Sequence, residues 1–288
     1  MAATEEQERF LADPLAFLKK EAKEYLEASP ANRPPSFGGD AIFDEPLLGF
    51  ADGDDPIFQS YKTIVGDSHI TPGEALERHL RAAGVGNERR PPRVSVISVV
   101  FPITHGTRLG LREETLVTSL RWNHTRWLGQ KLVEEVMRHI ASVVERMGYR
   151  AVVPGLADFY KTTDSPTGMV SNWSERHVAY AAGLGTFSLS DGLITPKGVA
   201  VRCASVVTDA LLPASPRTYP NHMANCLFYK DRSCRRCIER CPAGAITEQG
   251  HDRLRCRDFL FKEQRDIMKS MGREEGYIGT YMGCVASV

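Results

Sequence analysis

Hydrophobic positions along this chain recur at two periods. From 5 to 28, Phe10, Leu11, Leu15, Phe17, Leu18, Ala22 and Leu26 return at about helical spacing and predict an amphipathic helix. From 123 to 147, Trp127, Leu128, Leu132, Val136, Ile140, Val143, Val144 and Met147 mark one face of a longer helix, with Gly148 placed to end it. Thr71 followed by Pro72 predicts a short helix over 72–83, and a further helix is expected over 174–183. RVSVISVVFPI (93–103) is a continuous apolar run and predicts a strand buried on both faces. YRAVVPG (149–155) predicts a second strand, and 192–212 two more around the turn at Thr195-Pro196-Lys197-Gly198.

Between these elements the pattern changes. Residues 28–56 are rich in Pro, Gly and Asp, yet Ile42, Phe43, Leu47, Leu48 and Phe50 need something to pack on. They predict an extended arm lying over the surface. The simplest division is an N-terminal helix and arm over 1–90, a mixed helix and sheet domain over 91–220, and a cysteine-rich domain over 221–288.

Lys+Arg and Asp+Glu are both 36, so no charge excess favours general nucleic-acid binding or an acidic membrane surface. No apolar run approaches the roughly 20 residues that span a bilayer. The charged, amphipathic start lacks the pattern of a secretory signal, so a cytoplasmic chain is expected. Cys203 aside, the cysteines all lie after residue 225. Clustered cysteines in a chain of that compartment point to metal ligation before disulfides.

The cluster reads Cys226-x7-Cys234-x2-Cys237-x3-Cys241-Pro242. A bacterial ferredoxin run is C-x2-C-x2-C-x3-C-P, and the last three cysteines and the proline match it. Thiolates at these spacings can converge on one iron–sulfur cube while the local turn aims backbone N–H groups at the sulfurs. Structural zinc also accepts C-x2-C pairs, but a second such pair is absent. Cys256 and Cys284 follow as further ligand candidates or buried apolar thiols, and Cys203, in a predicted strand, reads as a packed thiol.

Residues 171–212 carry Glu175-Arg176, Ala179, Ala182-Gly183-Leu184-Gly185, Leu193-Ile194-Thr195, Gly198 and Thr208-Asp209. This stretch, with the cysteine segment after it, resembles the epoxyqueuosine reductase family, relatives of the reductive dehalogenases. The resemblance runs over about 90–285. It implies an α/β (α+β) nitroreductase-like domain followed by a ferredoxin-like domain with [4Fe–4S] clusters, with a cobalamin between them in characterised members. In the two-cluster pattern, Cys226, Cys234 and Cys237 serve one cube and Cys241, Cys256 and Cys284 the other. Each then needs one more ligand, which the family supplies from a further cysteine run; here Ser287 stands where its next cysteine is expected. A single cube on Cys226, Cys234, Cys237 and Cys241 is the local alternative. Members also carry an Asp as general acid six residues before the Glu-Arg pair. Met169 occupies that place, and Asp164 lies nearby out of register. The family's W-x-G-K-N after the glycine turn is replaced by 186–190 (TFSLS).

Asp164 and Tyr160 are the candidate proton donors. Ser171, Asn172, Trp173, Arg176, Gly183 and Gly185 are the candidate cofactor-binding residues; the polar ones also read as a helix start, and Glu175-Arg176 as a structural ion pair. His177, and His124 with Arg126 in the aromatic segment 122–127, are expected in packing or on solvated faces. Arg235, Arg236 and Arg240 would offset cluster charge or dock an acidic electron donor, such as a ferredoxin or flavodoxin. The function expected is transfer of low-potential electrons to a bound small-molecule or nucleoside-type acceptor, with a non-catalytic electron carrier as the rival.

Overall fold

The structure is a computed structural model that describes residues 4–84 and 93–287. Two helices open the chain, α1 (Glu5–Ala12) and α2 (Pro14–Ala28), where one was expected. Pro14 has no N–H and disfavours helical backbone at the residue before it. Asp13 therefore leaves the helix and caps the next one, its side chain accepting from the Ala16 N–H at 2.9 Å. The break turns Leu11 and Leu15 outward, while Phe10, Leu18, Ala22 and Leu26 stay buried.

The segment expected to be an arm supplies a strand. Strand β1 (Leu47–Asp52) pairs antiparallel with β2 (Ser95–Pro102), with Phe50 opposite Ile97. Helices α3 (Pro56–Ile64) and α4 (Pro72–Ala82) lie between them in sequence. Helix α4 begins with the capping box of Thr71 and Glu74. The expected boundary at 90 lies outside the described residues.

After β2 come α5 (His105–Arg112), the long α6 (Leu120–Arg146) and β3 (Ala151–Val152). The strand expected over 149–155 stops early because Pro154 starts a tight turn. The hairpin β4 (Thr162–Ser165) and β5 (Gly168–Ser171) precedes α7 (Glu175–Ala181). Strands β6 (Thr186–Phe187) and β7 (Leu193–Ile194) pair with each other, and β8 (Val201–Thr208) enters the main sheet. The turn at 195–198 thus joins two sheets and closes no hairpin between β7 and β8.

The main sheet runs β1-β2-β8-β3 and is antiparallel throughout. Every residue of β2 is buried, as its apolar run predicts. Ile97, Val99 and Phe101 face α2 and α6, while Val96 joins the core under α3, α4 and α7. Helices on both faces cover the sheet.

The cysteine-rich segment comprises α8 (Leu227–Asp231), α9 (Arg236–Glu239), the hairpin β9 (Ile246–Thr247) and β10 (Gly250–His251), then α10 (Arg253–Asp258) and α11 (Gln264–Ser270) joined by a π turn. Its tail returns to α6. The buried Asn123 amide donates to the Ile278 carbonyl at 3.0 Å and accepts from the Ile278 N–H at 2.9 Å. Thr118 donates to the Met282 carbonyl at 2.8 Å, and His124 bridges Ser36 and the Gly276 carbonyl. Arg240 donates to the carbonyls of Leu111, Arg112 and Val285, so it ties this segment to α5. No helix among the described residues is long and apolar enough to cross a membrane.

Asn123→Ala leaves both backbone groups of Ile278 without these partners and should destabilise the chain by about 1–3 kcal/mol. Hydrogen exchange should show faster exchange in 276–287 and little change in β2.

Candidate functional site

All seven cysteines are free. Cys226 begins α8, Cys234 lies in the following loop, Cys237 sits in α9, and Cys241 follows that helix. Cys256 belongs to α10 and Cys284 to the tail. Burial raises the Cys237 thiol, and the nearby Cys226 and, less strongly, Cys234 push it the same way. Cys256 is pushed up to about 12, by burial first and then by Cys284 and Cys241. Burial also raises Cys284, with Cys241 adding to it against hydrogen bonds from the Ala286 backbone and Ser287.

Cys226 and Cys234 thus act on Cys237, and Cys284 and Cys241 on Cys256, while Cys226, Cys237, Cys241 and Cys284 share one apolar cluster. Mutual repulsion of this kind disfavours thiolates until a cation offsets it. The Ala245 N–H points at the Cys241 sulfur at 3.3 Å. Among the described residues no three His, Cys, Asp or Glu side chains converge closely enough to hold a single metal ion. Donors for a cube bind separate irons and so stand wider apart than donors around one ion. Thiol sets of this composition suit iron–sulfur ligation, each set being one donor short.

A cavity of about 820 Å3 lies between the sheet and the cysteine-rich segment. That is at the upper end of small-molecule pockets, roughly 300–1,000 Å3. Cys241, Cys256 and Cys284 line it, and Cys203 does too. Burial, and next Glu175, push the Cys203 thiol up to about 12. Tyr160, Ser171, Trp173 and Arg176 also line the cavity.

The remaining candidates do not. Asp164 sits opposite Met169 in the β4–β5 hairpin, 77% exposed and 3.3 Å from Arg257. Asn172 is buried as a brace, accepting from the Lys161 N–H and donating to the Phe159 carbonyl. Gly183 has φ +73°, and a Cβ there would stand 2.5 Å from the Pro216 carbonyl oxygen; one on Gly185 would stand 2.5 Å from that of Ile194. Both glycines let backbones pack closely and contribute nothing to the cavity wall. Cys226, Cys234 and Cys237 stand off the wall as well.

Glu175 is the group the sequence hid. It makes no ion pair with Arg176, which instead donates to the Asp191 carbonyl. The indole of Trp173, 1% exposed, donates to Ser205 Oγ at 3.0 Å, and Ser205 donates to Glu175 Oε2 at 2.7 Å. Glu175 lines the cavity, its carboxyl beside Gly155. Burial raises Glu175 to about 7 against the hydrogen bonds that favour its charge. A Glu-Arg pair at a helix start offers no sequence signal of this, because the partner Ser205 lies on another strand.

A second link crosses the cavity mouth. The Asp191 carboxylate accepts from Arg253 at 3.0 Å and meets His251 Nδ1 at 3.1 Å. His251 lines the cavity, and its ring is held by a residue from the sheet side. His177 is packed instead, 4.7 Å from the Phe187 ring, and burial takes it down to about 3.

No protein-family model matches this chain, and no curated protein matches it. Solved structures similar to it include an epoxyqueuosine reductase from Bacillus subtilis, at 17% identity and a TM-score of 0.42, over 86% of this chain and 57% of that one. Another is a selenomethionine-labelled epoxyqueuosine reductase, at 16% identity and a TM-score of 0.44, over 95% of this chain and 64% of that one. The chain thus spans less than two thirds of each.

The Glu175 shift has a sign that can be tested. Its folded value of about 7 lies above the ordinary 4.5, so in that window the folded chain keeps a proton that the unfolded chain has released. Stability from this group is full below the window and falls as pH rises through it, by on the order of 3 kcal/mol. Urea unfolding of wild type and Glu175→Gln should diverge in the same sense: the variant loses less stability between the two pH values.

Proposed function

We propose that this chain is an iron–sulfur oxidoreductase built from a nitroreductase-like unit and a ferredoxin-like segment. It takes low-potential electrons from a donor protein such as a ferredoxin or flavodoxin and delivers them to an acceptor in the cavity. The observation that carries this reading is the cavity wall, which holds free cysteines together with a carboxyl that burial raises to about 7.

Cys226, Cys234 and Cys237 would hold one cluster, and Cys241, Cys256 and Cys284 a second with Ser287 beside them; one cube on the first four cysteines is the smaller arrangement. A bound cluster supplies electrons one at a time. Arg235 and Arg236, exposed near Cys234 and Cys237, pair with Glu248 and Glu239 and would exchange those partners for an acidic donor protein, whereas Arg240 is spent on backbone carbonyls.

Trp173 and Ser205 hold the Glu175 carboxyl at the wall, and burial keeps it protonated in a good part of the molecules near pH 7. Glu175, in place of Asp164, then gives a proton to the acceptor as charge builds on it. Two electrons from the donor protein and two protons, one from Glu175 and one from water, yield the reduced product; water then reprotonates Glu175. A corrinoid as second cofactor belongs to the same proposal.

Iron and acid-labile sulfide are measured after anaerobic reconstitution. About eight of each per chain are expected for two cubes and about four for one. Zinc without iron sinks the reading. The reduced, reconstituted chain is then screened with hydroxocobalamin and with epoxide and organohalide acceptors, following cluster reoxidation. Glu175→Gln should keep its iron and lower the reoxidation rate by about 10²–10⁴-fold. The wild-type rate should fall as pH rises through about 7, where the proton is lost, and the variant should lack that limb. An electron carrier would bind neither corrinoid nor acceptor.

A further inference from the structure

Two arginines on the cavity wall lack an acidic partner. Arg126 lies on α6 and Arg202 on β8, and both line the cavity. Neither forms an ion pair among the described residues. Arg202 directs Nε and Nη2 to a single neutral oxygen, Oε1 of Gln130. Arg126 directs Nε to the Tyr281 hydroxyl, and its guanidinium lies 5.3 Å from the Trp127 ring centre and 5.1 Å from that of Tyr281. No protein acceptor among the described residues meets Nη1 or Nη2 of Arg126, or Nη1 of Arg202.

Both side chains are half-buried, and a charge partly drawn from water without an acidic partner is costly, the more so beside a like charge. Burial lowers Arg202 to about 10, and Arg126 is the next largest cause. Glu134 is a weaker influence and is engaged elsewhere. One of its oxygens accepts from Gln130 at 3.2 Å, and the other lies 3.8 Å from Arg138.

We propose that the Arg126 and Arg202 guanidiniums, set by Tyr281 and Gln130, form a subsite for a phosphate group on the ligand of this cavity. Two planar forks suit an anion of nearly two charges, and a phosphate monoester carries about −1.5 to −2 at pH 7. Glu175 is on the same wall, close enough to act on the Cys203 thiol next to Arg202. A ligand anchored by phosphate would therefore present its other end within the chamber that holds the acid. This assignment deepens the proposed function, on which it rests for the cavity being the acceptor chamber.

The test is titration of the reconstituted chain with inorganic phosphate by calorimetry and by melting temperature, with iron measured in every sample. Wild type should bind phosphate saturably and melt higher with it. Arg126→Gln and Arg202→Gln should each weaken binding at least about tenfold, and Arg202→Lys should retain part of it. Without phosphate, Arg126→Gln should melt no lower than wild type, because it removes a repelling charge; a lower melting point would make the arginine structural and overturn the subsite. No saturable binding, binding unchanged in both glutamine variants, or acetate bound as tightly as phosphate would also overturn it. Competition by hydroxocobalamin, which carries a phosphodiester, would place the group on a corrinoid. Competition by adenosine monophosphate alone would place it on a nucleotide-type acceptor. Either supports the subsite, and competition by neither means an adventitious ion only and overturns it. Phosphate binding in a chain without iron would separate the two proposals, keeping the subsite and removing the redox reading.

Discussion

The reciprocal hydrogen bonds between the Asn123 amide and both backbone groups of Ile278 hold the two halves of this molecule in register. They pin the C-terminal tail along the first turns of α6, with Thr118 and His124 gripping Met282 and Gly276 on either side. Without that docking, Cys284 would not reach Cys241 and Cys256, and Tyr281 would not reach Arg126. A buried amide that meets a donor and an acceptor of one residue fixes position along the tail as well as contact, since a slip of one residue leaves both unpaired. Arg240 on α5 and Asp191 on His251 and Arg253 make the same connection elsewhere.

The cavity that results is chemically mixed. Thiols from three separate parts of the segment line it, together with a carboxyl held by Ser205 and two guanidiniums bonded to Gln130 and Tyr281. Burial raises Cys203, Cys256, Cys284 and the acid and lowers Arg202, in each case disfavouring the charged form. The acid and the thiols can answer by staying protonated. The guanidiniums answer poorly, because their ordinary values lie so high, and this makes them the strongest pointer to a missing anion.

Several features were legible in the residues themselves. The helix start at Thr71-Pro72, the buried run of β2 and the long apolar face of α6 rest on local sterics or short periodicity, so they survive into the fold nearly as written. Other expectations failed through single residues: Pro14 split the first helix and Pro154 shortened β3, because each removes a donor and restricts the residue before it. Tyr160, Ser171, Trp173 and Arg176, chosen as candidates from the sequence, line the cavity. Asp164 lies on the outer surface because the β4–β5 hairpin sets it opposite Met169 and against Arg257, away from the cavity.

The sequence by itself determined the buried run of β2, the long apolar face of α6 and that six cysteines lie within one stretch near the end, since these follow from spacing along the chain. Only the tertiary structure decided which cysteines share a neighbourhood, that Phe50 and its strand belong to the main sheet, and that Glu175 answers to Ser205 and not to Arg176. It also decided that Arg126 and Arg202 face one cavity without an acidic partner. Each of these joins residues far apart in sequence, and their charge states depend on who else is buried with them. Local periodicity carries no record of that company.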